Sequence, residues 1–364
     1  MYYIKHPTYS QKGVESMKAI MKMGPRPGIE LKEVPIPEPG PDEVLIKVEA
    51  AAICGTDMHY YHWNKAGQGF AEKFNVQWPL TLGHECSGTI VKVGENVTDR
   101  QVGQRVALET HMFCGKCYNC QNGMPHNCSN MGIYGTSYNG CFSDYALAPS
   151  NITFVIPDAM SFKQAALLEP AGVAMRAVEE ANVQPGDTVV VNGCGPIGLL
   201  AILILKGGNA ARVIATDLDE YRLGLAKKLG AITINPMNEN SIDRVQELCA
   251  DRGGADIVIE TSGAAPAYKT IFDFIRLEGA LITVGHPGGE VPINIANNIN
   301  TKGLRLKGIF GRRIWSTWWN VSSLISSGKI DVLDVVTHTF TYDQCQEAFE
   351  QSTKGSGKIL FVNE

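Results

Sequence analysis

The chain has 364 residues, a net charge of −5 and 44% hydrophobic residues, which is the balance of a globular protein with about two domains. Its charges form no block of one sign, and this argues against a nucleic-acid or anionic-membrane partner, since both favour a basic face. We recognise no signal peptide, and the apolar stretch from Ile197 to Leu205 is too short to cross a bilayer. We therefore expect a cytoplasmic protein, in which ten cysteines serve as metal ligands rather than as disulfides.

The first half of the chain is predicted to be rich in β-structure. Residues 1–16 are interpreted as an N-terminal extension that is ordered only where something docks it. Val44 to Val48 and Thr89 to Val93 alternate apolar with polar or charged residues, as half-buried strands do. The proline-rich run from Val34 to Pro41 cannot be helical and predicts an extended connector. Together these patterns indicate a partly open, barrel-like domain.

The pattern changes near Ser161, where a long helix from Ser161 to Asn182 is predicted, with Ser161 as its N-cap. Strand-like runs then alternate with helical stretches, which predicts a parallel sheet with right-handed crossovers. The predicted strands are 188–192, 212–216, 232–234, 256–260 and 280–284. The tail returns to a helix at 315–326 and to short strands such as 358–362.

A glycine-rich turn marks a possible dinucleotide site. The motif G-x-G-x-x-G consists here of Gly193, Gly195, Pro196, Ile197 and Gly198, with Cys194 between the first two. It follows an apolar strand, opens an apolar helix and precedes Asp217 by 19 positions, a context that separates it from a glycine-rich turn without a ligand. The glycines allow a tight turn, close approach of the pyrophosphate and close packing of helix on strand. Asp217 would accept hydrogen bonds from the adenosine ribose and repel the extra phosphate of NADP, so NAD is the expected cofactor.

Four cysteines lie within fifteen residues, in an arrangement typical of a structural metal site. They are Cys114, Cys117, Cys120 and Cys128. Four neighbouring thiolates can close a tetrahedral site with no open position, which suits structural zinc. An iron–sulfur cluster is the alternative occupant, because four cysteines also hold such clusters.

A second set of possible ligands is dispersed along the chain. It consists of Cys54, His84, Glu85 and Glu169. Mixed thiolate, imidazole and carboxylate ligands suit a catalytic zinc whose remaining position takes water or substrate, although a His beside a Glu also forms a plain hydrogen-bonded pair. Thr56 and His59 follow Cys54 closely, and a hydroxyl and an imidazole beside a metal can carry a proton to solvent. Taken alone, each of the two favours a structural interpretation over a catalytic one.

Taken together, these motifs resemble those of the zinc-containing medium-chain dehydrogenases. The Cys-Gly-Thr-Asp segment at Cys54, the Gly-His-Glu segment at His84, the four cysteines and the nucleotide motif occur in the same order, and the likeness extends from Met17 to the C-terminus. The resemblance implies a GroES-like, β-rich catalytic domain at 17–164, completed by 309–364. It also implies a Rossmann domain with a doubly wound parallel sheet at 165–308.

The same resemblance implies roles for individual residues. The ligands of the catalytic zinc would be Cys54, His84, Glu85 and, as an intermittent ligand or relay, Glu169. A proton relay would consist of Thr56 and His59, and the residue near the substrate would be His111. The NAD site would be lined by Ile197, Asp217, Arg222, Val284, Gly285, His286, Ile309 and Phe310. Each chain would hold two zinc ions and NAD, and the expected assembly is a homotetramer.

Within the family, the resemblance is strongest to the threonine dehydrogenases. It is carried by residues 109–111 and 294–297, and by 307–312 with 315–318. Residues 169–176 depart from the pattern of the threonine dehydrogenases and look more like polyol dehydrogenases. The loop between His59 and His84 is also a few residues longer than in the threonine dehydrogenases. We expect oxidation of a secondary alcohol to a ketone, with L-threonine as the first substrate. A polyol, a sugar alcohol or 2,3-butanediol is the alternative.

A non-enzymatic interpretation is a zinc-stabilised, nucleotide-binding redox sensor. Cys54, His84 and Glu85 argue against it, because sensing needs no open zinc position. In the enzymatic interpretation, bound zinc lowers the pKa of the small-molecule alcohol. The proton would leave through Thr56, the nicotinamide ribose and His59, and hydride would pass to NAD.

Overall fold

The structure is a computed structural model that describes residues 15–208, 210 and 212–362. Most of the predicted extension at 1–16 lies outside these residues, and Ser16 begins the first strand. In chain order the strands are β1 (Ser16–Lys22), β2 (Glu30–Pro35), β3 (Glu43–Ala52), β4 (Leu80–Thr81), β5 (Glu85–Val93), β6 (Arg105–Leu108), β7 (His111–Met112), β8 (Gly132–Ile133), β9 (Tyr145–Pro149), β10 (Thr153–Val155), β11 (Thr188–Asn192), β12 (Arg212–Thr216), β13 (Ile232–Ile234), β14 (Ala255–Glu260), β15 (Ile275–Thr283), β16 (Arg305–Gly308), β17 (Val336–Phe340) and β18 (Lys358–Val362).

The helices of the described residues are α1 (Gly55–His62), α2 (Lys65–Lys73), α3 (Tyr118–Gln121), α4 (Phe162–Ala166), α5 (Leu168–Ala181), α6 (Pro196–Gly207), α7 (Glu220–Lys228), α8 (Ser241–Leu248), α9 (Ile271–Phe274), α10 (Ser316–Ser326) and α11 (Cys345–Thr353). A π-helical turn covers Ile295–Asn300, and short 3-10 turns include Val332–Val335. No helix in this part of the chain is long and apolar enough to span a membrane.

The first compact unit takes both ends of the chain. It comprises the described residues up to Glu169, residues 336–354 and the segment from Lys358 onward. Its largest sheet has the order β10-β6-β5-β3-β18-β17, with β9 also paired to β3, and a smaller sheet has the order β2-β1-β4. In the large sheet β3 lies between β5 and β18 and is antiparallel to both. The last strand of the chain is therefore hydrogen-bonded directly to an early one.

Aromatic rings fill the core of the first unit. Phe142 packs edge-on against Phe361 and Phe349, with ring centroids 5.2 and 6.3 Å apart. A Cβ on Gly83 would lie 2.4 Å from the Phe142 ring, and Gly83 has a φ of 92°. Only glycine fits that position, because both the space and the backbone conformation exclude a side chain. This close approach fixes the chain immediately before His84.

The second unit is a parallel α/β structure. It comprises residues 170–335 and 355–357, and its sheet has the order β13-β12-β11-β14-β15-β16 with all pairs parallel. The strand order reverses between β11 and β14, and dinucleotides bind at such a reversal in doubly wound sheets. The helix that follows β11, α6, is buried from Gly198 to Leu205. The predicted α/β fold, with a β-rich part and a doubly wound parallel sheet, is confirmed.

Two local predictions differ from the structure. The single helix predicted at 161–182 is divided into α4 and α5, because Pro170 cannot donate to the carbonyl of Ala166 and its ring clashes there. The predicted N-cap is present, since Ser161 accepts a hydrogen bond from the Gln164 amide. The strand predicted from residue 280 begins at Ile275. The segment between His59 and His84 contains helix α2, whose N-cap is Asn64.

The compact units divide the chain at other positions than the predicted domains, whose bounds stay a prediction. In this division the chain returns to the first unit at Val336. Helix α10 and the 3-10 turn at Val332–Val335 remain with the second unit, where that turn contacts α6. The four-residue strand β16 completes the parallel sheet just before this region.

Candidate metal centres and dinucleotide site

Cys54, His84 and Glu85 form a compact group, which we call the three-donor cluster. Their possible ligand atoms all lie within 4.8 Å of one another. Strand pairing explains the meeting, because Ala52 at the end of β3 lies opposite Glu85 at the start of β5. Cys54 follows two residues after the end of β3, at the same end of these strands. The antiparallel register therefore brings Cys54 together with His84 and Glu85, which are 30 and 31 positions further along the chain.

The three-donor cluster has the chemistry of a zinc site. His84 and Glu85 are only 4% and 1% exposed. Among the residues that the structure describes, His84 Nδ1 and Glu85 Oε1 have no hydrogen-bond partner. Each buried polar atom without a partner costs about 1–3 kcal/mol. A cation bound between the donors would remove that cost at Glu85. Thiolate, imidazole and carboxylate are all zinc ligands, and three of them leave a fourth position open.

Lys358 is buried against the three-donor cluster. Its ammonium group forms an ion pair with Glu85 and donates to the Ile53 carbonyl at 2.9 Å. Burial raises the pKa of Glu85 well above its usual range, against the attraction of Lys358. Burial also opposes the charge on Lys358, but the neighbouring Glu85 and Cys54 charges prevail and raise its pKa. A positive charge from the last strand thus balances a buried carboxylate beside the cluster.

Asp57 connects the two chain segments that supply the cluster. Its carboxylate accepts hydrogen bonds from the amides of Cys54 at 2.9 Å and Gly83 at 3.3 Å. It also lies 3.8 Å from His84 Nδ1. A carboxylate in this position orients a metal-binding imidazole. Asp57 is itself buried, and burial raises the pKa of its carboxyl group.

Glu169 lies beside the cluster without joining the three donors. Thr110 Oγ1 donates to Glu169 Oε1 at 2.6 Å and lies 3.3 Å from the His84 carbonyl. The Glu169 charge contributes to raising the pKa of Cys54, after burial and Asp57. His111 follows Thr110 and is buried, and its amide donates to Glu109 Oε1 at 2.8 Å. The segment from Glu109 to His111 is therefore held next to the cluster through Thr110.

Thr56 and His59 lie on α1, which begins directly after Cys54. The Thr56 amide hydrogen-bonds to the Cys54 sulfur and favours its thiolate. His59 Nδ1 lies 3.0 Å from the Asn64 side-chain amide. Burial and then the neighbouring His62 lower the pKa of His59. The helix fixes both residues relative to Cys54, and His59 favours the neutral form.

The four cysteines of the second group form what we call the four-cysteine lobe. Their sulfur atoms all lie within 4.8 Å of one another, with Cys117 Sγ 3.5 Å from Cys120 and 3.8 Å from Cys128. None of the four forms a disulfide. The backbone amides of Cys114 and Asn130 point at Cys128 Sγ, each at 3.3 Å. Amides directed at sulfur stabilise thiolates, which are the form that binds metal.

The thiols of the lobe differ in acidity. Backbone hydrogen bonds from Cys120 and Ser129 lower the pKa of Cys117 to about 6. A hydrogen bond from the Lys116 amide lowers the pKa of Cys114 as well. Burial raises the pKa of Cys120 to about 12, so metal binding there releases a proton. The lobe has four donors and no open position, as a closed structural site requires.

The glycine-rich turn has the shape of a phosphate-binding loop. Gly193 has a φ of 98°, and a Cβ on it would lie 2.8 Å from the Ser262 nitrogen. A Cβ on Gly198 would lie 1.9 Å from the Gly193 carbonyl oxygen, whereas open space surrounds Gly195. Helix α6 begins at Pro196 without a side-chain cap. Its first amides thus suit an anionic ligand that approaches over Gly195.

Asp217 is fixed at the end of β12. Its two carboxylate oxygens accept hydrogen bonds from the amides of Cys194 at 2.6 Å and Asp219 at 2.9 Å. Arg222 on α7 lies 3.9 Å from Asp219, and its Nε has no hydrogen-bond partner. The carboxylate that the sequence analysis assigned to the ribose is therefore tied to the glycine-rich turn itself.

The other predicted cofactor residues follow β15 and β16. The amides of Val284 and Gly285 donate to the Glu260 carbonyl at 2.8 and 3.0 Å, and the Ile309 amide donates to Thr283 at 3.0 Å. The rings of His286 and Phe310 meet edge-on, with centroids 6.1 Å apart. All of them follow the carboxyl ends of their strands, where open α/β sheets bind ligands.

Sequence reasoning missed several residues that contact the predicted ligands. Asp57 was noticed only as the end of a motif, although its position three residues after Cys54 is that of a capping carboxylate. Thr110 adjoins a noted segment but carried no signal of its own. Lys358 lies 273 positions from Glu85, and nothing in the local sequence separates it from any other strand lysine.

Comparison with known proteins places this geometry in a family. Residues 40–158 match the alcohol dehydrogenase GroES-like domain, and residues 196–327 match the zinc-binding dehydrogenase domain. The chain is 40% identical over 350 residues to L-threonine 3-dehydrogenase of Thermococcus kodakarensis, covering 95% of this chain and 98% of that one. Relatives of the same name at a similar identity include one from Bacillus subtilis.

Solved structures give the same result. The 2R,3R-butanediol dehydrogenase of Bacillus subtilis superposes with a TM-score of 0.86 at 31% identity, covering 96% of this chain and all of that one. A zinc-binding dehydrogenase of Sinorhizobium meliloti bound to NADP also gives a TM-score of 0.86, at 29% identity over 96% of this chain and all of that one. The chain therefore belongs to the zinc-binding alcohol dehydrogenases with a GroES-like domain. It is a zinc-dependent dehydrogenase that uses a nicotinamide dinucleotide, as predicted.

We expect the variant Asp57→Asn to weaken zinc binding at the three-donor cluster by about 10–100-fold, because partners that orient a metal ligand have effects of this size. The measurement is the zinc retained against chelators of graded strength. The matched control is Asp144→Asn, since Asp144 also accepts a backbone amide, that of Lys18 at 2.7 Å. Equal zinc retention by Asp57→Asn and wild type would show that Asp57 does not orient His84.

Proposed function

We propose that the protein is an NAD-dependent L-threonine 3-dehydrogenase that oxidises the secondary hydroxyl of threonine to a ketone. The observation that carries the reaction type is the three-donor cluster, in which His84 and Glu85 are buried and one Glu85 oxygen has no hydrogen-bond partner among the described residues. The identity to relatives named L-threonine 3-dehydrogenase over almost the whole chain supports the substrate.

In this proposal Cys54, His84 and Glu85 hold the catalytic zinc, and Glu169 is an intermittent ligand or relay. Bound zinc supplies a Lewis acid that lowers the pKa of an alcohol. Lys358 balances the Glu85 charge, and Asp57 orients His84. The four-cysteine lobe, with Cys114, Cys117, Cys120 and Cys128, holds a second zinc that stabilises the fold.

Thr56 and His59 carry the proton of the substrate hydroxyl away in this mechanism. Burial lowers the pKa of His59, so its imidazole is neutral at neutral pH and able to accept a proton. The Asn64 amide, 3.0 Å from Nδ1, holds the ring in place. A half-buried imidazole thereby connects the region of Cys54 to solvent.

The NAD site in this proposal consists of the glycine-rich turn, Asp217, Arg222 and the residues that follow β15 and β16. Gly193, Gly195, Pro196, Ile197 and Gly198 approach the pyrophosphate. Asp217 accepts hydrogen bonds from the ribose. The nicotinamide end of a bound cofactor would be held by Val284, Gly285, His286, Ile309 and Phe310, and the cofactor would supply the hydride acceptor. We also propose that the protein is a cytoplasmic homotetramer, as its resemblance to the family implies.

Threonine requires more from the site than a neutral alcohol. It is a zwitterion, and buried charges left unpaired cost several kcal/mol in order of magnitude. His111, buried beside Thr110, is our candidate for the carboxylate, and the region of Glu169 for the ammonium group. A neutral diol is the second candidate, favoured by Val173 and Met175 in the segment after Pro170 and by the likeness to the butanediol dehydrogenase structure.

The purified protein should contain about two zinc ions per chain, one for each cluster. Cys120→Ser should lower the yield of folded protein, because the metal affinity of a structural site contributes folding free energy. Cys54→Ser should remove activity and about one zinc while the circular dichroism spectrum is retained. Metal analysis that finds iron, or a single zinc in wild type, contradicts the assignment.

NAD should be preferred over NADP, because the Asp217 carboxylate repels an additional phosphate on the ribose it binds. Asp217→Ser should lower the ratio of kcat/KM with NAD to kcat/KM with NADP. Asp219→Ser, two residues along the chain, is the matched control and should leave the ratio nearer that of wild type. Wild-type enzyme that uses NADP as well as NAD would refute this role.

The substrate is tested by kcat/KM for L-threonine, 2,3-butanediol and sorbitol at one pH. L-Threonine should have the highest kcat/KM of the three. His111→Ala should reduce kcat/KM for threonine far more than for butanediol, because only threonine presents a carboxylate. If either neutral alcohol leads, the threonine assignment is wrong while the zinc and NAD chemistry stands.

A further inference from the structure

Glu260 is a buried carboxylate that the mechanism does not use. It ends β14 and is 0% exposed. Among the described residues, no Lys, Arg or His side chain forms an ion pair with it. Its oxygens instead accept hydrogen bonds from polar groups of the second unit: the Ser262 amide at 2.8 Å, the Ser262 hydroxyl, the Gly263 amide at 3.1 Å, the Tyr268 hydroxyl at 3.3 Å and the Asn192 side-chain amide at 3.4 Å.

These hydrogen bonds fix the turn 261–263 against the glycine-rich turn. Thr261 donates from Oγ1 to the Gly193 carbonyl at 2.8 Å and from its amide to the Asn192 carbonyl at 2.9 Å. A Cβ on Gly193 would lie 2.8–2.9 Å from three atoms of Ser262, and one on Gly198 would lie 2.9 Å from Thr261 Oγ1. The phosphate-binding turn is therefore shaped on one side by the residues that Glu260 holds.

Glu260 also touches the turn that follows β15. Its carbonyl oxygen accepts the amides of Val284 and Gly285. A Cβ on Gly285 would lie 2.2 Å from the Gly263 nitrogen and 2.8 Å from Glu260 Oε2. Gly263, in turn, has a φ of 63° and packs on the His286 backbone, which a Cβ would approach to 2.9 Å. The Glu260 side chain thus joins the ends of β11 and β14. The turn after β15 is joined to them by the Glu260 backbone carbonyl and by Gly263, which the side chain holds.

We infer that Glu260 is a positioning residue for the dinucleotide. It acts through the turn 261–263, which holds the pyrophosphate turn at Gly193–Gly198 and the nicotinamide-side turn at Val284–His286 at a set separation. A buried carboxylate suits this role because it accepts several hydrogen bonds at once and donates none. The inference rests on the proposed dinucleotide site and assigns to it a residue that does not itself contact the cofactor.

The test compares full-length Glu260→Ala, Glu260→Gln and Asp256→Asn with wild type. Asp256 is a buried carboxylate on the same strand that accepts the Thr188 amide and the Arg252 and Arg276 side chains. Its variant controls for general damage to the sheet. The readouts are the Kd for NADH by fluorescence, without substrate, and KM for NAD against kcat in turnover.

We expect Glu260→Ala to raise the Kd for NADH and the KM for NAD about tenfold, a loss corresponding to one charged hydrogen bond. The value of kcat at saturating NAD should stay within about twofold. The Kd of Glu260→Gln should lie between those of wild type and Glu260→Ala, because its amide oxygen still accepts hydrogen bonds from the turn. Asp256→Asn should leave Kd within about twofold. The inference is overturned if Kd is unchanged in folded Glu260→Ala, or if Asp256→Asn raises it equally.

Should Glu260→Ala not fold, Glu260→Gln and Ser262→Ala decide the question. Ser262→Ala removes the hydroxyl donor and leaves the carboxylate in place, and a rise of about threefold in Kd is expected from each variant. Unchanged Kd in both refutes the positioning role. Failure of wild type to bind NADH at all would instead refute the proposed function, so the two failures are distinguishable.

Discussion

The structure depends on how the ends of three neighbouring strands are aligned in the large sheet of the first unit. In the middle strand, β3, Ala52 lies opposite Glu85 of β5 on one side and opposite Leu360 of β18 on the other. Cys54 leaves β3 just beyond that point, and Lys358 begins β18. A slip of one residue in either pairing would turn every side chain of a strand to the opposite face. A slip between β3 and β5 would separate the Cys54 thiol from the Glu85 carboxylate, and a slip between β3 and β18 would separate the Lys358 ammonium group from both.

The balance of charge at these strand ends depends on the same alignment. Glu85 and Lys358 are both buried, and a buried ion pair is costly unless its partners are well placed and further hydrogen bonds satisfy them. Lys358 meets that condition through the Ile53 carbonyl. Glu85 keeps one oxygen, Oε1, without a partner. Of the two Glu85 oxygens, one is therefore paired with Lys358 and the other stays free to bind a cation.

Much of the fold could be predicted from the sequence because local patterns determine it. Predicted strands at 188–192, 212–216 and 232–234 agree with β11, β12 and β13, where short apolar runs are bounded by turn residues. The two ligand groups were also recognisable, since thiol and imidazole spacing is a chemical signal. Lys358 and Glu260 were not, because their importance comes from strand neighbours far away in the chain. Pro170 was visible in the sequence, yet its effect on the helix is exerted four residues earlier.

The participation of both chain ends in the first unit has a consequence for biosynthesis. The segments that supply Cys54, His84 and Glu85 emerge from the ribosome long before β18, and N-terminal regions generally fold first during synthesis. Until residue 358 has been translated, the edge of β3 that receives β18 is unpaired and the Glu85 carboxylate has no counter-charge. An unpaired strand edge favours aggregation. The nascent protein thus carries an unpaired segment of β3, Ala50 to Ala52, until the end of its translation.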